Sequence, residues 1–246
     1  MRGVCAALDL ATNVGRPSPL DSVRRRAPIR FHPTEARVAR NLTYYFSLLS
    51  PWAYLGHAEL GRIARTRDVI IDYRPVNLIE LFPETGGLPL PKRHPSRQAY
   101  RLVEMQRWRE ARDAPLVLKP KYWPFDFKLA DRAMLVASEQ GDQDAVHQLI
   151  ALAFRAVWVE EHNLGDEATL AEVAAAAGFD PAKLIAAART DEAAEAHAAN
   201  FSRATEEGVF GSPSYVLDGE VFWGQDRLEM LDAALASGRG PFTAAL

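Results

Sequence analysis

The chain has 246 residues, 48% of them hydrophobic, which is enough for one large domain or two modest domains with a buried core. The formal net charge of −3 gives no whole-chain indication of nucleic-acid binding. The single cysteine, Cys5, excludes an intrachain disulfide and a cysteine metal cluster, and we expect a cytoplasmic protein. No segment approaches the roughly 20 apolar residues of a membrane span, since Arg155 interrupts the longest candidate, "LIALAFRAVWV".

The N-terminal segment, residues 1–40, is distinctly basic. It holds eight arginines, no lysine and three acidic residues, a balance of +5 that leaves −8 for the remainder. It is open to interpretation as a targeting segment, a basic arm or an extension without a fold. Asp9 interrupts its only apolar run, and its four prolines do not fit a continuous amphipathic helix. We therefore predict a disordered, functionally bland extension over residues 1–40.

A strand, a helix and a second strand follow. "NLTYYFSL" alternates and is rich in aromatic residues, which predicts a strand. Ser50 suits a helix N-cap and Pro51 the first helical position, so a helix is predicted from there. The continuous apolar run in "DVIIDYRPV" predicts a second strand that is buried on both faces. Strand, helix and strand in this order imply a right-handed parallel crossover.

The middle of the chain is predicted to be a loop and then a helical block. Residues 77–95 are rich in glycine and proline and indicate a long loop. From about residue 96 to 207 the pattern is helical, with two short helices at 166–177 and 181–188 and a longer one at 191–207. The clearest helix places the following apolar residues on one face: Val146, Leu149, Ile150, Ala153, Phe154, Val157 and Trp158.

The chain then returns to a sheet. "SYVLDGEVFW" predicts a hairpin with Asp218 and Gly219 in its turn, and "GQDRLEMLDAALASG" predicts a final helix that stops at Gly238. The order β-α-β, helical block, β-β-α matches an α/β, thioredoxin-like fold with a large all-helical insertion, while other α/β sheets remain open from the pattern alone. In this division, residues 41–80 and 191–246 form the thioredoxin-like domain and residues 81–190 the insertion.

The start of the first helix is the first candidate site. Its free N–H groups and positive dipole end favour an anion. In this fold a Cys-x-x-Cys pair would stand at Ser50 and Ala53, so the chain cannot exchange disulfides here. The turn can still hold a thiolate supplied from outside, such as that of glutathione, with Ser50 donating a hydrogen bond to sulfur. The alternative is that Ser50 only caps its helix.

Two distant segments complete the candidate site. In "FGSPSY", Pro213 precedes a strand and is a candidate cis-proline, with the backbone of Ser212 free to pair with an extended peptide. In "WGQDR", Gln225 and Asp226 lie near the free N–H groups of the last helix, which suits a group that carries both a carboxylate and an amine. The alternatives are an ordinary loop-to-strand proline and an ordinary helix cap.

"SPWAYLG", "GVFGSPSYVLDGEVFWGQDR" and the order of elements together resemble the 2-hydroxychromene-2-carboxylate isomerase family and its relatives, the kappa-class glutathione transferases, over about residues 41–238. The resemblance implies a DsbA-like thioredoxin fold, glutathione as cofactor and a homodimer. It implies that Ser50 contacts the sulfur as the catalytic residue. The glutathione contacts that it implies are Ser50, Pro51, Trp52, Ser212, Pro213, Trp223, Gln225 and Asp226.

The resemblance also implies a reaction. This is the glutathione-dependent isomerisation of 2-hydroxychromene-2-carboxylate to trans-o-hydroxybenzylidenepyruvate in aromatic breakdown, with a small aromatic carboxylate as substrate. Reversible addition of the thiolate would allow rotation about a carbon–carbon bond. Candidate residues for the aromatic slot are Trp52, Phe82, Tyr122 and Trp123. Candidates for the carboxylate are Lys92, Arg93 and His94, for which a solvated basic loop is the alternative.

The chain departs from the family mainly around the second substrate. Phe82 stands where one isomerase has a lysine, Gly87 where kappa-class proteins have an asparagine, and Asp126 where the family has an asparagine. Two other functions stay open: a kappa-like glutathione transferase or peroxidase, and a catalytically silent thioredoxin-fold binding module. The histidines lack zinc-binding spacing, so no metal is expected, and we expect neither nucleic acid nor a membrane as partner.

Overall fold

The computed structural model describes residues 39–244, so the predicted N-terminal extension lies outside the described residues apart from its last two positions. Four strands form one mixed sheet in the order β2-β1-β3-β4. The strands are β1 (Arg40–Phe46), β2 (Val69–Pro75), β3 (Ser214–Leu217) and β4 (Glu220–Trp223). The pair β1 and β2 is parallel, whereas β3 is antiparallel to both β1 and β4, as the predicted hairpin requires.

The inner strand β1 carries the aromatic centre of the sheet. The rings of Tyr44 and Phe46 stack at 4.9 Å, and those of Tyr44 and Tyr215 at 5.3 Å. All three side chains are fully buried. The strand β2 instead lies at the sheet edge, and Ile70 is 54% exposed. The prediction that β2 is buried on both faces is therefore wrong at Ile70. Buried and less buried residues alternate along β2, so only one of its faces is fully covered.

The helix α1 (Pro51–Arg67) connects the two parallel strands and begins where the sequence predicts, with Ser50 as its N-cap. It packs very closely on the segment that follows β4. A Cβ atom placed on Gly56 would lie 2.8 Å from Cβ of Gln225 and 2.9 Å from the Tyr215 hydroxyl. Only glycine allows this approach, which brings the start of α1 and the "WGQDR" segment together.

Seven helices lie between β2 and β3: α2 (Leu78–Glu84), α3 (Pro95–Ala111), α4 (Lys128–Gln140), α5 (Gln143–Trp158), α6 (Glu167–Ala176), α7 (Pro181–Ala188) and α8 (Asp191–Glu206). The prediction of a loop over 77–95 is wrong in part. The Asn77 side chain accepts a hydrogen bond from the Ile79 N–H at 3.0 Å and starts α2, and a 3-10 turn follows at Leu90–Lys92. The predicted continuous helical block is also interrupted, because residues 112–127 contain three prolines and form no helix.

The sheet and the inserted helices share one hydrophobic core. Phe46 of β1 packs edge-on against Phe154 of α5 with ring centroids 6.2 Å apart, and Trp158 is buried in the same cluster. A smaller cluster around Tyr45 and Leu81 covers the other face of the sheet. The side chains predicted for one face of α5 are buried together. No helix between residues 39 and 244 is long and apolar enough to span a membrane.

The C-terminal helix differs slightly from its prediction. Residues Gln225–Arg227 form a 3-10 turn, and the α-helix proper, α9, runs over Leu228–Ser237. It stops at Gly238, which has a φ of 63°, as the sequence predicts. Asp218 and Gly219 also have positive φ values, 52° and 85°, in the hairpin turn. The "WGQDR" segment is therefore a tight turn that leads into a helix.

Candidate functional site

Ser50 stands at the junction of β1 and α1, with 4% of its surface exposed. Its hydroxyl oxygen accepts a hydrogen bond from the Ala53 N–H at 3.2 Å, which caps the helix. Pro51 has no N–H, and the Trp52 N–H makes no hydrogen bond within residues 39–244. One open N–H therefore remains beside the Ser50 hydroxyl at the positive end of α1.

The peptide bond between Ser212 and Pro213 is cis, which confirms the prediction, and it faces this turn. The Ser50 hydroxyl donates to the Ser212 carbonyl oxygen at 3.1 Å. The Ser212 hydroxyl in turn accepts from the Ser47 N–H at 2.9 Å. The Ser212 N–H has no acceptor in the described part of the chain, so this backbone is open on its N–H side and occupied at its carbonyl.

Two tryptophans hold the turn that leads into Ser50. The Trp123 indole N–H donates to the Leu49 carbonyl at 3.0 Å, and the Trp158 indole N–H donates to the Leu48 carbonyl at 3.1 Å. Both tryptophans belong to the helical insertion, so the insertion fixes the backbone in front of α1. The sequence placed Trp158 on a buried helix face and gave no signal for this hydrogen bond.

The predicted site residues at the end of β4 and in the turn after it differ in exposure. Trp223 is 51% exposed and packs against the Phe210 ring at 4.8 Å. The Gly224 N–H donates to the Pro213 carbonyl at 2.9 Å, which joins this turn to the cis-proline. Asp226 is exposed and forms an ion pair with Arg227 at 2.7 Å. Gln225 is 2% exposed, so its side chain points into the protein.

Arg112 explains why Gln225 points inward. Its Nε donates to Oε1 of Gln225 at 3.0 Å and its Nη2 to the Gln225 backbone oxygen at 3.1 Å. The same guanidinium pairs with Glu229 at 2.9 Å. Arg112 thus ties the end of α3 to the start of α9, a contact that sequence reasoning missed because no local pattern marks it.

The structure brings two of the predicted substrate residues together. The Arg93 guanidinium lies 5.7 Å from the centroid of the Phe82 ring, and its Nε donates to the Leu88 carbonyl at 2.7 Å. Burial lowers the pKa of Arg93, and the nearby charge of Arg97 lowers it further. Phe82 and Arg93 therefore form one half-buried pair of aromatic and cationic groups.

The other two predicted substrate residues are placed differently. Tyr122 is 42% exposed, with the Lys121 ammonium 4.8 Å from its ring centroid. The Asp126 carboxylate accepts from the Lys128 N–H at 3.2 Å, at the first residue of α4. No hydrogen bond or ring contact joins either side chain to Phe82 or Ser50 within residues 39–244. Asp126 thus acts locally, at a helix start.

Two basic candidates lie on the surface. Lys92 and His94 are both exposed, and the His94 ring accepts from the Ser96 N–H at 3.3 Å, which caps α3. Among residues 39–244, no group of three His, Cys, Asp or Glu side chains is placed to hold a metal ion.

The DSBA-like thioredoxin domain family matches residues 41–236, about four-fifths of the chain. The chain belongs to this family. A 2-hydroxychromene-2-carboxylate isomerase from Sphingobium xenophagum is 25% identical over 199 residues, which cover 80% of this chain and 99% of the relative. The enzyme of the same name from Pseudomonas putida is 28% identical, covering 78% and 92%. A solved structure of 2-hydroxychromene-2-carboxylate isomerase superposes with a TM-score of 0.70 at 26% identity, covering 80% and 95%.

These comparisons confirm both the predicted fold and the resemblance. The one cysteine of the whole chain is Cys5, so neither Ser50 nor Ala53, the positions at which we expected a redox pair in this fold, carries a thiol. The surface depressions along α3, one lined by Arg109 and Leu116 and the other by Val103 and Arg107, do not include Ser50. The candidate site is therefore the convergence of α1, the cis-proline and the turn after β4.

Proposed function

We propose that the protein is a glutathione-dependent isomerase of the 2-hydroxychromene-2-carboxylate isomerase type, acting on a small aromatic carboxylate. The observation that carries the proposal is the Ser50 hydroxyl at the start of α1, bonded to the residue before the cis-proline. The match covers nearly the whole length of both relatives with this name, which supports a shared activity.

The residues around Ser50 offer a fit for the parts of glutathione. The open Trp52 N–H and the Ser50 hydroxyl lie together at the positive end of a helix, where a thiolate is stabilised. The open Ser212 N–H suits the backbone of an extended peptide. Trp223 pairs with Ser214, and the Gly224 N–H donates to the Pro213 carbonyl. The exposed Trp223 ring and Asp226 carboxylate of this turn suit a γ-glutamyl group.

The hydrogen bond between Ser50 and Ser212 imposes a condition on this fit. A serine hydroxyl has one proton, and that of Ser50 is donated to the Ser212 carbonyl. If Ser50 is to donate to sulfur, its hydrogen must leave this carbonyl, while the oxygen keeps accepting from Ala53. The released Ser212 carbonyl is then open to accept a peptide N–H. The proposed function thus requires an exchange of hydrogen bonds at Ser212.

Bound glutathione would supply a thiolate whose reversible addition lets the substrate open its ring and rotate a double bond. The protein residues would hold this sulfur as an anion through the end of α1. Phe82 and Trp123 would provide apolar walls, and the basic side chains of α3 and the preceding turn would attract the carboxylate. No residue of the chain needs to act as a nucleophile.

The deciding experiment follows the absorbance of 2-hydroxychromene-2-carboxylate and trans-o-hydroxybenzylidenepyruvate with glutathione, with S-methylglutathione and without either. We expect the two acids to interconvert with glutathione but not with S-methylglutathione or without either. The concentration of free thiol should stay constant. Loss of one thiol per substrate would identify a transferase instead. If calorimetry shows no binding of glutathione, both enzymatic functions fail and a non-catalytic binding module remains.

We also propose a cytoplasmic location and a homodimer. Glutathione keeps thiols reduced in the cytoplasm, which suits an enzyme that needs a free thiol. Cell fractionation tests the location, and sedimentation equilibrium tests the dimer; a monomer at all concentrations would contradict the second.

A further inference from the structure

The first half of α3 and the turn before it carry three arginines at intervals of four residues: Arg93, Arg97 and Arg101. Within α3 this spacing places Arg97 and Arg101 on one face, while Arg93 lies in the turn that precedes the helix. Arg101 is half-buried, although an arginine on a helix surface is usually solvated or paired. Its environment therefore needs an explanation.

Arg101 lies beside the turn that leads to Ser50. Its guanidinium carbon is 5.6 Å from the ring centroid of Trp123. The indole N–H of Trp123 donates to the carbonyl of Leu49, the residue before Ser50. A single indole ring therefore separates the Arg101 guanidinium from the backbone at the candidate site.

Arg101 has no anionic partner in the part of the chain that the structure describes. It forms neither a hydrogen bond nor an ion pair there, and Glu104, one turn further along α3, is bonded to Arg107 at 2.5 Å. Burial lowers the pKa of Arg101 to about 10, and repulsion from Arg93 contributes. A guanidinium that is partly removed from water without an acceptor is destabilised, and a bound carboxylate would relieve this cost.

Other basic residues near Phe82 are less suited to this role. Arg93 already donates its Nε to the Leu88 carbonyl, and Lys92 and His94 are exposed. We propose that Arg101 binds the carboxylate of the aromatic substrate through its planar guanidinium and so determines specificity for acids, with the aromatic part of the substrate beside the Trp123 ring. This inference rests on the proposed function for the identity of the substrate.

The test uses an unreactive probe and no glutathione. Chromone-2-carboxylate and its methyl ester are titrated against the full chain, and binding is followed by tryptophan fluorescence. The variants are Arg101→Gln, Arg101→Lys and a control, Arg107→Gln, which removes a 62% exposed arginine from the same helix. Circular dichroism melting of each variant checks that it is folded.

We expect the wild type and Arg107→Gln to prefer the acid over the ester. A charge-assisted hydrogen bond contributes enough that Arg101→Gln should bind the acid about 10- to 100-fold more weakly. Binding of the ester to Arg101→Gln should not change. Arg101→Lys should prefer the acid more than Arg101→Gln does, because it keeps the charge, but less than the wild type, because it lacks the planar fork.

The inference is overturned if the wild type does not distinguish the acid from the ester, or if Arg101→Gln keeps the wild-type preference. Failure of the proposed function looks different. The protein could prefer the acid in an Arg101-dependent way and yet show no glutathione-dependent turnover. This result would support the carboxylate site and contradict the proposed isomerase function.

Discussion

The hydroxyl of Ser50 donates a hydrogen bond of 3.1 Å to the carbonyl oxygen of Ser212, a residue 162 positions away in the chain. The Ser212 hydroxyl makes a second link to the same turn by accepting a hydrogen bond from the Ser47 N–H at 2.9 Å. The two serines thus lock the turn before α1 to the residue before the cis-proline. One hydroxyl is both a structural link and the proposed partner of sulfur, so its removal should affect stability and activity separately.

Replacing Ser50 with alanine removes the cap on Ala53 and the bond to Ser212. Loss of a helix cap and one hydrogen bond should lower the free energy of unfolding by about 1–3 kcal/mol. Turnover should fall much further, by about 100-fold or more, because an aligned donor to the reacting atom is lost. Urea unfolding and the isomerisation assay measure the two effects on the same preparation.

Thr190→Ala is the matched control for Ser50→Ala. The Thr190 hydroxyl caps α8 by accepting from the Ala193 N–H at 3.2 Å, as Ser50 caps α1. Its removal should cost a similar part of the stability, about 1 kcal/mol, and leave turnover unchanged. Equal turnover in Ser50→Ala and wild type would show that the Ser50 hydroxyl has a structural role only.

Replacing Asp226 with asparagine tests the proposed γ-glutamyl end of the site. Asp226 is exposed, so stability should change by less than about 0.5 kcal/mol, while loss of a charged acceptor should weaken glutathione binding about 10-fold. Isothermal titration calorimetry measures the affinity. Asp226 also pairs with Arg227, so Arg227→Gln is the control: if it weakens binding equally, Asp226 acts only by holding Arg227.

The sequence predicted those parts of the site that rest on local rules. Ser50 followed by Pro51 is a helix start in any context, and Pro213 before a short strand marks a loop-to-strand junction. The resemblance added the role of each residue, and in the structure Ser50 bonds to Ser212, the residue before cis-Pro213.

The sequence did not predict contacts between distant segments. Trp158 and Arg112 reach the site from the insertion through hydrogen bonds that no periodicity records. The exposure of Ile70 was missed for a similar reason, since the covering of a strand's face depends on the segments that pack on it and not on its own apolar run. We predicted that Gln225 contacts glutathione, and sequence reasoning did not predict that its side chain accepts a hydrogen bond from Arg112.

Replacing Arg112 with alanine should therefore disturb the candidate site indirectly, through Gln225. It would leave the buried Gln225 side chain and a backbone carbonyl without their donor, at a cost of about 2–4 kcal/mol. Glutathione affinity should fall because the turn before α9 loses its anchor. Arg109→Ala, on α3, is the control, since within residues 39–244 the Arg109 side chain makes one hydrogen bond, a long one of 3.3 Å to the Leu116 carbonyl. Equal melting temperatures for the two variants would contradict this role of Arg112.

Buried His57 of α1 packs against half-buried His147 of α5, and this pair should make stability depend on pH. The rings of His57 and His147 stack at 3.8 Å, and the Nε2 of His57 donates to the His147 carbonyl at 2.9 Å. Nδ1 of His147 lies 3.0 Å from the Tyr73 hydroxyl. Burial, followed by repulsion from His147, lowers the pKa of His57 well below its usual value. Burial, followed by the charge of Arg65, lowers the pKa of His147 to about 4.

Because these pKa values are lowered in the folded protein, the unfolded chain binds protons first as the pH falls. The stability that neutral His147 contributes is complete above its unfolded pKa of about 6.5 and is lost as the pH falls to about 4, by roughly 3 kcal/mol. Neutral His57 contributes in the same direction. Burial raises the pKa of Asp131, which acts in the opposite direction, so Asp131→Asn is used as the background. Urea unfolding between pH 7 and pH 4.5 should show a steep loss in this background and a smaller one after His147→Gln. A loss of the same size with and without His147 would show that this histidine is not the group that titrates.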